Sequence, residues 1–300
     1  MTDRSLENRV VVVTGAGRGL GLAYALDLAA RGASVVVNTR PKAADDPASA
    51  ESAVRRIQDA GGKAVACPLA VEADDAGDHL LAAALDAFGR IDGLINNAGV
   101  PEAMSLHKQT VQQVRGVFDI NFYGALAATL PIYRHMREQG AGRIVMTTSA
   151  AGLHGVHGMT AYSASKAALI GLMRVIALEG GPKGVHANAV APYALTGMTE
   201  KYIDADTAAA MPAELVAPVV SWLVSEECPL NGETLVVGSG KVRPAYRIEG
   251  QGLDFGTEPN IPLSRFDAAA EALMSLKTWT RPHDGNVAFD EFFAARPPKG

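Results

Sequence analysis

The chain has 300 residues, 48% of them hydrophobic and 20% charged, with 27 Lys+Arg against 32 Asp+Glu for a net charge of -5. That is enough apolar material for one large α/β core. The acidic balance, with no basic stripe, argues against a nucleic-acid partner. Cys67 and Cys228 lie far apart without metal-ligand spacing, so no metal is expected, and a reduced, cytoplasmic protein is the simplest reading. Met1 to Arg9 is polar and charged, which predicts no signal peptide, and the apolar runs read as too short for a membrane partner.

Val10 to Val13 is a β-branched run suited to a strand buried on both faces. Thr14-Gly15-Ala16-Gly17-Arg18-Gly19-Leu20-Gly21 follows directly, then a helix from Leu22 to Arg31 stopped by Gly32. Strand, glycine turn and helix form the context of a dinucleotide site, in which backbone N–H groups meet a pyrophosphate at the positive end of the helix. The spacing here is GxxxGxG (Gly15, Gly19, Gly21) rather than GxGxxG.

A second buried strand, Val35 to Val37, ends at Asn38-Thr39-Arg40. An NAD site usually has an acid here for the ribose 2′-hydroxyl. Thr39 is neutral and Arg40 is cationic, and a guanidinium can grip a 2′-phosphate. The expected cofactor is therefore NADP, with NAD as the alternative. Arg18 is a second candidate for the phosphate. Pro41 to Ser49 reads as a polar loop beside this site.

A helix from Ala50 to Ala60, a strand from Ala64 to Ala66 and a helix from Asp74 to Phe88 come next. Gly93-Leu94-Ile95 leads into Asn96-Asn97-Ala98-Gly99, small residues that leave room for a cofactor at a strand end. Val111 to Arg137 is helical in pattern, with Pro131 as an expected kink. Asn121 sits inside it. Its side chain either satisfies a neighbouring backbone group or helps hold a water.

Strand five, Ile144 to Thr148, ends at Ser149. A glycine-rich loop, Ala150 to Thr160, precedes a helix from Ala161 to Glu179 that carries Tyr162 and Lys166. Four residues apart, these two share a helix face. An ammonium beside a phenol favours the phenolate, which predicts a lowered Tyr162 pKa and a usable acid/base. Val185 to Val190 is strand six, followed by Ala191-Pro192-Tyr193. Thr196 to Ala210 reads as a mobile lid. A helix from Ala213 to Val224 and a seventh strand, Thr234 to Val237, close the repeat. The order predicts an α/β fold: one Rossmann-like three-layer sandwich over residues 1–240, with a parallel seven-stranded sheet and helices on both faces. Residues 241–300 form an extension containing one amphipathic helix, Arg265 to Leu276, and the apolar Phe289, Phe292 and Phe293, packing on the body or over the substrate entrance.

Together these residues resemble the short-chain dehydrogenase/reductase family from about Leu6 to Gly240. The resemblance is carried by TGxxxGxG (Thr14 to Gly21), NNAG (Asn96 to Gly99), Asn121, Ser149 and YSASK (Tyr162 to Lys166). Within that family the chain is similar to the dehydrogenase unit of type 2 multifunctional β-oxidation enzymes and bacterial stand-alone relatives. The passages are "VVVTGAGRGLGLAYALDLAARGASVVVN", "ALDAFGRIDGLINNAG", "GRIVMTTSAAGLHG", "ALEGGPKGVHANAVAP" and "LVAPVVSWLVSEEC". That subgroup implies a (3R)-3-hydroxyacyl-CoA type of small-molecule substrate.

The resemblance implies that Tyr162 is the acid/base, that Lys166 lowers its pKa and binds the nicotinamide ribose, that Ser149 hydrogen-bonds the substrate oxygen, and that Asn121 holds a relay water. It further implies cofactor contacts from Gly15, Gly17, Arg18, Gly19, Leu20, Asn38, Thr39, Arg40, Leu69, Ala70, Asn97, Ala98, Gly99, Tyr162, Lys166, Pro192, Thr196 and Met198. It also implies a homodimer or homotetramer built on the helices around Val111–Arg137 and Tyr162–Glu179. Departures are Thr39 where relatives carry an acid, Leu69 where an Asp commonly meets adenine, Tyr193 in place of a glycine, and Val100-Pro101-Glu102-Ala103 near the substrate mouth. Two other readings remain: a hydroxysteroid or other small-ketone reductase, since no basic cluster for CoA phosphates is evident, and a non-catalytic dinucleotide-binding sensor.

Overall fold

The computed structural model describes residues 5–195, 204–255 and 261–294. The chain divides into two compact units, one ending at Pro244 and the other starting at Ala245. The first is built on a sheet ordered β3-β2-β1-β4-β5-β6-β7-β8. Its strands are β1 (Val10–Val13), β2 (Ser34–Thr39), β3 (Lys63–Pro68), β4 (Gly93–Asn96), β5 (Gly142–Thr147), β6 (Val185–Pro192), β7 (Thr234–Gly238) and β8 (Lys241–Pro244). The first seven pair in parallel. The order reverses between β1 and β4, and this switch point leaves a crevice at the carboxyl ends of the strands, where ligands bind in such sheets.

The sheet has eight strands rather than the expected seven. Ser239 and Gly240 both have positive φ (49° and 71°), and Gly238 pairs with Lys241. A two-residue turn of that hand matches strand twist, so it folds β8 back antiparallel on β7.

The core lies on both sides of β1. Val11 and Val13 point into one layer with Tyr24, Leu28 and Ile57, whereas Val10 and Val12 point into the other with Leu80, Ile132 and Met173. A parallel strand covered on both faces must be apolar throughout, which is why four valines run together.

Around the sheet run α1 (Gly19–Ala30), α2 (Ala50–Asp59), α3 (Ala76–Phe88), α4 (Val111–Phe118), α5 (Gly124–Gln139), α6 (Ala150–His154), α7 (Thr160–Gly180), α8 (Ala205–Ala209) and α9 (Ala217–Leu223). Two differ from the sequence reading in a way that matters. The single helix expected from Val111 to Arg137 is interrupted by a π-helical turn, Asp119–Tyr123, that carries Asn121. The loop expected after Ser149 begins instead as α6, because the Ser149 side chain caps it, with Oγ accepting from Ala151 N at 3.1 Å.

Helix α7, extended to Lys183, is long and apolar enough by composition to cross a membrane, contrary to the expectation that apolar runs are too short. Leu169, Ile170, Met173, Ile176 and Ala177 account for much of that apolarity by packing into the core layer against the sheet. The expected lid falls partly outside the described residues; Ala205–Ala209 is helical, capped by Asp204.

In the second unit, β9 (Glu249–Gly250) pairs antiparallel with β10 (Trp279–Thr280). Helices α10 (Leu263–Leu273) and α11 (Gly285–Ala294) complete it. Arg281 stacks 3.7 Å over the Tyr246 ring, and Phe255 meets Phe266 at 4.7 Å.

Candidate active site

The glycine turn joins β1 to α1. Gly15 and Gly19 have φ of 65° and 55°. A Cβ on Gly15 would lie 2.8 Å from Ala98 Cα, and one on Gly21 would collide with Gly15 O. Only glycine fits both positions, which lets the turn pack directly against the segment after β4. Arg18, the N-cap residue of α1, makes no side-chain cap, so it leaves the first N–H groups of the helix open to another acceptor. That is the arrangement a pyrophosphate requires, and the residues present fit a dinucleotide here.

The turn is clamped from β4. Asn97 Nδ2 donates to Thr14 O at 2.9 Å and Gly15 O at 3.2 Å. Thr14 Oγ1 accepts from Asn97 N at 3.0 Å and Ala98 N at 3.1 Å. Thr14 is the group the sequence reading passed over, although it opens the motif. Asn96 faces away and donates to Thr129 Oγ1 at 2.9 Å.

At the end of β2, the Asn38 amide is buried and turned inward. Its Nδ2 donates to Cys67 O at 2.9 Å and Leu69 O at 3.1 Å, tying β2 to the segment after β3. Leu69 N in turn donates to Thr39 O at 3.1 Å. Arg40 is exposed and bonded to Glu72, Nη2 to Oε1 at 2.6 Å. Nothing in the sequence marks that pair, since 32 residues separate its members. Arg18 is also exposed; the Asp46 carboxyl nearby is held below its usual range mainly by the Ala48 N–H, then by Lys42, with Arg18 the smallest cause.

Asn121 is fully buried. Its Oδ1 accepts from Val100 N at 2.8 Å, and its Nδ2 donates to Val100 O at 3.1 Å and Ser165 Oγ at 3.1 Å. Of the two roles open from sequence, the structure shows the first: the side chain satisfies a neighbouring backbone. The three bonds join the loop after β4, the π-turn and α7. A Cβ on Gly99 would lie 3.1 Å from Asn121 Oδ1 and 3.2 Å from Lys166 Nζ, so the loop after β4, the π-turn and the Tyr162 helix converge on one point.

Lys166 is 3% exposed. Its Nζ donates to Thr147 O at 2.8 Å and sits 5.8 Å from the centre of the Tyr162 ring. Burial pulls its ammonium down from 10.5 to about 8. Thr148 Oγ1 donates to Lys166 O at 2.6 Å, fixing α7 to the end of β5.

The lowered Tyr162 pKa expected from spacing is not what the structure shows. Burial raises it, and the Ser149 hydroxyl acts in the opposite direction. Spacing along the helix places an ammonium nearby, but desolvation of this partly buried phenol is the larger effect. Because Ser149 Oγ accepts from Ala151 N, its proton can be directed to Tyr162 Oη or to a bound oxygen.

Pro192 ends β6, where Tyr193 N donates to Val237 O at 2.7 Å. Thr196 and Met198, the remaining expected cofactor contacts, lie outside the described residues. Among the described residues no group of His, Cys, Asp or Glu is arranged to hold a metal.

Residues 9–207 match the family model described as short chain dehydrogenase. The chain belongs to the short-chain dehydrogenase/reductase family. A Mycobacterium tuberculosis protein named as a short-chain type dehydrogenase/reductase is 40% identical over 260 residues, covering 85% of this chain and 91% of that one. A 3-oxoacyl-[acyl-carrier-protein] reductase of Synechocystis is 41% identical over 197 residues, 65% of this chain and 78% of that one. The structure of the full-length peroxisomal multifunctional enzyme type 2 from Drosophila melanogaster superposes with a TM-score of 0.81 at 30% identity, covering 96% of this chain and 49% of that one. The chain spans only 32% of the mouse enzyme of the same name. Membership makes the chain an oxidoreductase of a family that binds NAD(P) and acts on small molecules.

Proposed function

We propose that the chain transfers a hydride between NADP(H) and a secondary alcohol or ketone, with a 3-hydroxyacyl or 3-ketoacyl thioester as the substrate class. The observation that carries the reading is the convergence of Gly99, Asn121 and Lys166 beside Tyr162. The nicotinamide, when bound, supplies or accepts the hydride. Gly15 to Gly21 and the α1 N-terminus would hold the pyrophosphate, and Arg40 the 2′-phosphate. Ser149 Oγ–H orients the substrate oxygen by donating to it. Tyr162 Oη gives its proton to that oxygen in reduction and removes it in oxidation. Lys166, still largely an ammonium at neutral pH although burial lowers its pKa to about 8, sits near the ring on which negative charge develops. This favours the phenolate in the reacting complex, though not in the resting protein.

The thioester class rests on the likeness to the 3-oxoacyl reductase and the multifunctional enzyme. Free cysteines at Cys67 and Cys228, both buried, support a reducing, cytoplasmic setting. Exposed Tyr123, Leu130, Val175 and Leu178 support a homodimer or homotetramer, which sedimentation would test. The deciding experiment is Tyr162→Phe assayed with a 3-ketoacyl-CoA. Turnover should fall by ~10²–10⁴ with cofactor binding kept; unchanged turnover sinks the mechanism. Activity on small ketones alone, with no response to the thioester, would replace the substrate class.

A further inference from the structure

We infer that Glu72 sets the cofactor's phosphate selectivity, by holding the Arg40 guanidinium in an ion pair that a 2′-phosphate must break. The inference rests on the dinucleotide reading above and concerns its adenosine end. Arg40 follows β2 directly, and Glu72 lies four residues past β3. Parallel pairing of Thr39 with Pro68, with the Asn38 side chain lashing Cys67 and Leu69, brings the two strand exits together. The 2.6 Å contact is therefore fixed by the sheet and not by chance meeting of two long side chains.

The pair is asymmetric. The Arg40 side chain is 51% exposed and that of Glu72 30%. Glu72 Oε2 is shut from solvent and has no hydrogen-bond partner. A carboxylate with one oxygen dry and the other on a single guanidinium depends on that guanidinium for compensation. A second basic side chain on the same loop, Lys42, is likewise held by an acid, Asp46, at 3.3 Å. A 2′-phosphate approaching Arg40 must displace Glu72, leave its carboxylate uncompensated and sit beside its charge. A 2′-hydroxyl does none of these things. Glu72 thus takes back part of the preference that Arg40 confers, and narrows the gap between NADPH and NADH.

The test is fluorescence titration of wild type, Arg40→Ala and Glu72→Gln with NADPH and NADH, with urea unfolding to show that each variant is folded. Arg40→Ala should weaken NADPH and leave NADH unchanged. Glu72→Gln should tighten NADPH about fivefold, the upper value of an exposed ion pair, with NADH within about twofold. If Arg40→Ala weakens NADPH while Glu72→Gln leaves it unchanged or weaker, the inference fails and the NADP(H) reading stands. If Glu72→Gln weakens NADH instead, Glu72 is a ribose acceptor and the inference is wrong. If Arg40→Ala alters neither cofactor, the NADP(H) reading falls and takes the inference with it.

Discussion

Replacing Lys166 by methionine should stabilise the cofactor-free protein while abolishing its turnover. The ammonium is 3% exposed and its pKa is pulled from 10.5 to about 8 by desolvation. That gap corresponds to about 3 kcal/mol of burial cost at neutral pH. The variant leaves Thr147 O, now paired at 2.8 Å, without its donor, which costs about 1–2 kcal/mol. The net gain at pH 7 is then ~1–2 kcal/mol. The sign of the pH dependence follows from the direction of the shift. The folded pKa lies below the unfolded one, so between pH ~8 and ~10.5 the unfolded chain holds more protons, and the wild type gains stability as pH rises through that window. Below the window the cost is fully present. Urea unfolding of both proteins from pH 7 to 10.5 reads the difference directly, because other titrations are common to the two. The methionine variant should be ahead by ~1–2 kcal/mol at pH 7 and behind by a similar amount at the top of the range, a swing of about 3 kcal/mol. A variant less stable at pH 7, or a gap that does not change with pH, would refute the argument.

Other substitutions separate structural from chemical roles. Asn121→Ala strips Val100 N and O of their partner and should cost ~2–3 kcal/mol in urea unfolding. Gly21→Ala places a Cβ against Gly15 O and 2.5 Å from Asn97 Nδ2; the turn must open, and NAD(P)H affinity measured by titration should fall at least about tenfold with an unchanged circular dichroism spectrum. Ser149→Ala removes the group that lowers the Tyr162 pKa, so the pH midpoint of turnover assigned to that phenol should move upward. Asp92→Ala removes the acceptor of Val10 N at 2.8 Å and of Arg90 at 2.9 and 2.7 Å. It should lower stability by ~2–4 kcal/mol, with kcat kept by the folded fraction, because Asp92 precedes β4 at the end of the sheet away from Tyr162.

What could be read in the sequence were features with local causes. Four consecutive valines, a glycine turn and an alanine-rich helix follow one another in the chain, and the fold keeps them in contact. The β7–β8 hairpin was equally local, since Ser239-Gly240 is a turn dipeptide, but the apolar pattern faded in Lys241-Val242-Arg243-Pro244 and hid the strand. Ser149 read only as a catalytic candidate also serves as the cap of α6, and both uses come from one hydroxyl. Contacts across strands were not legible. Arg40 looks free in sequence because Glu72 reaches it only through the register of β2 and β3. The Tyr162 pKa failed for a related reason: spacing along a helix places a charge but says nothing of how dry the place is.

The π-turn explains how so many weak local signals yield one site. A single α-helix from Val111 onward would carry Asn121 in a regular i→i−4 ladder. The wider turn at Asp119–Tyr123 instead aims the amide at Val100 and Ser165. Ser165 Oγ passes the constraint on by donating to Tyr162 O at 2.9 Å. The backbone of Tyr162 is thereby tied to the loop that follows NNAG, and Lys166, the residue after Ser165, is anchored to β5. An Asn-to-Ala change at 121 should therefore loosen Val100 and Tyr162 together, and raise KM for substrate as well as lower kcat. A residue that served only the fold would change the melting point and leave the KM of the surviving folded enzyme as it was.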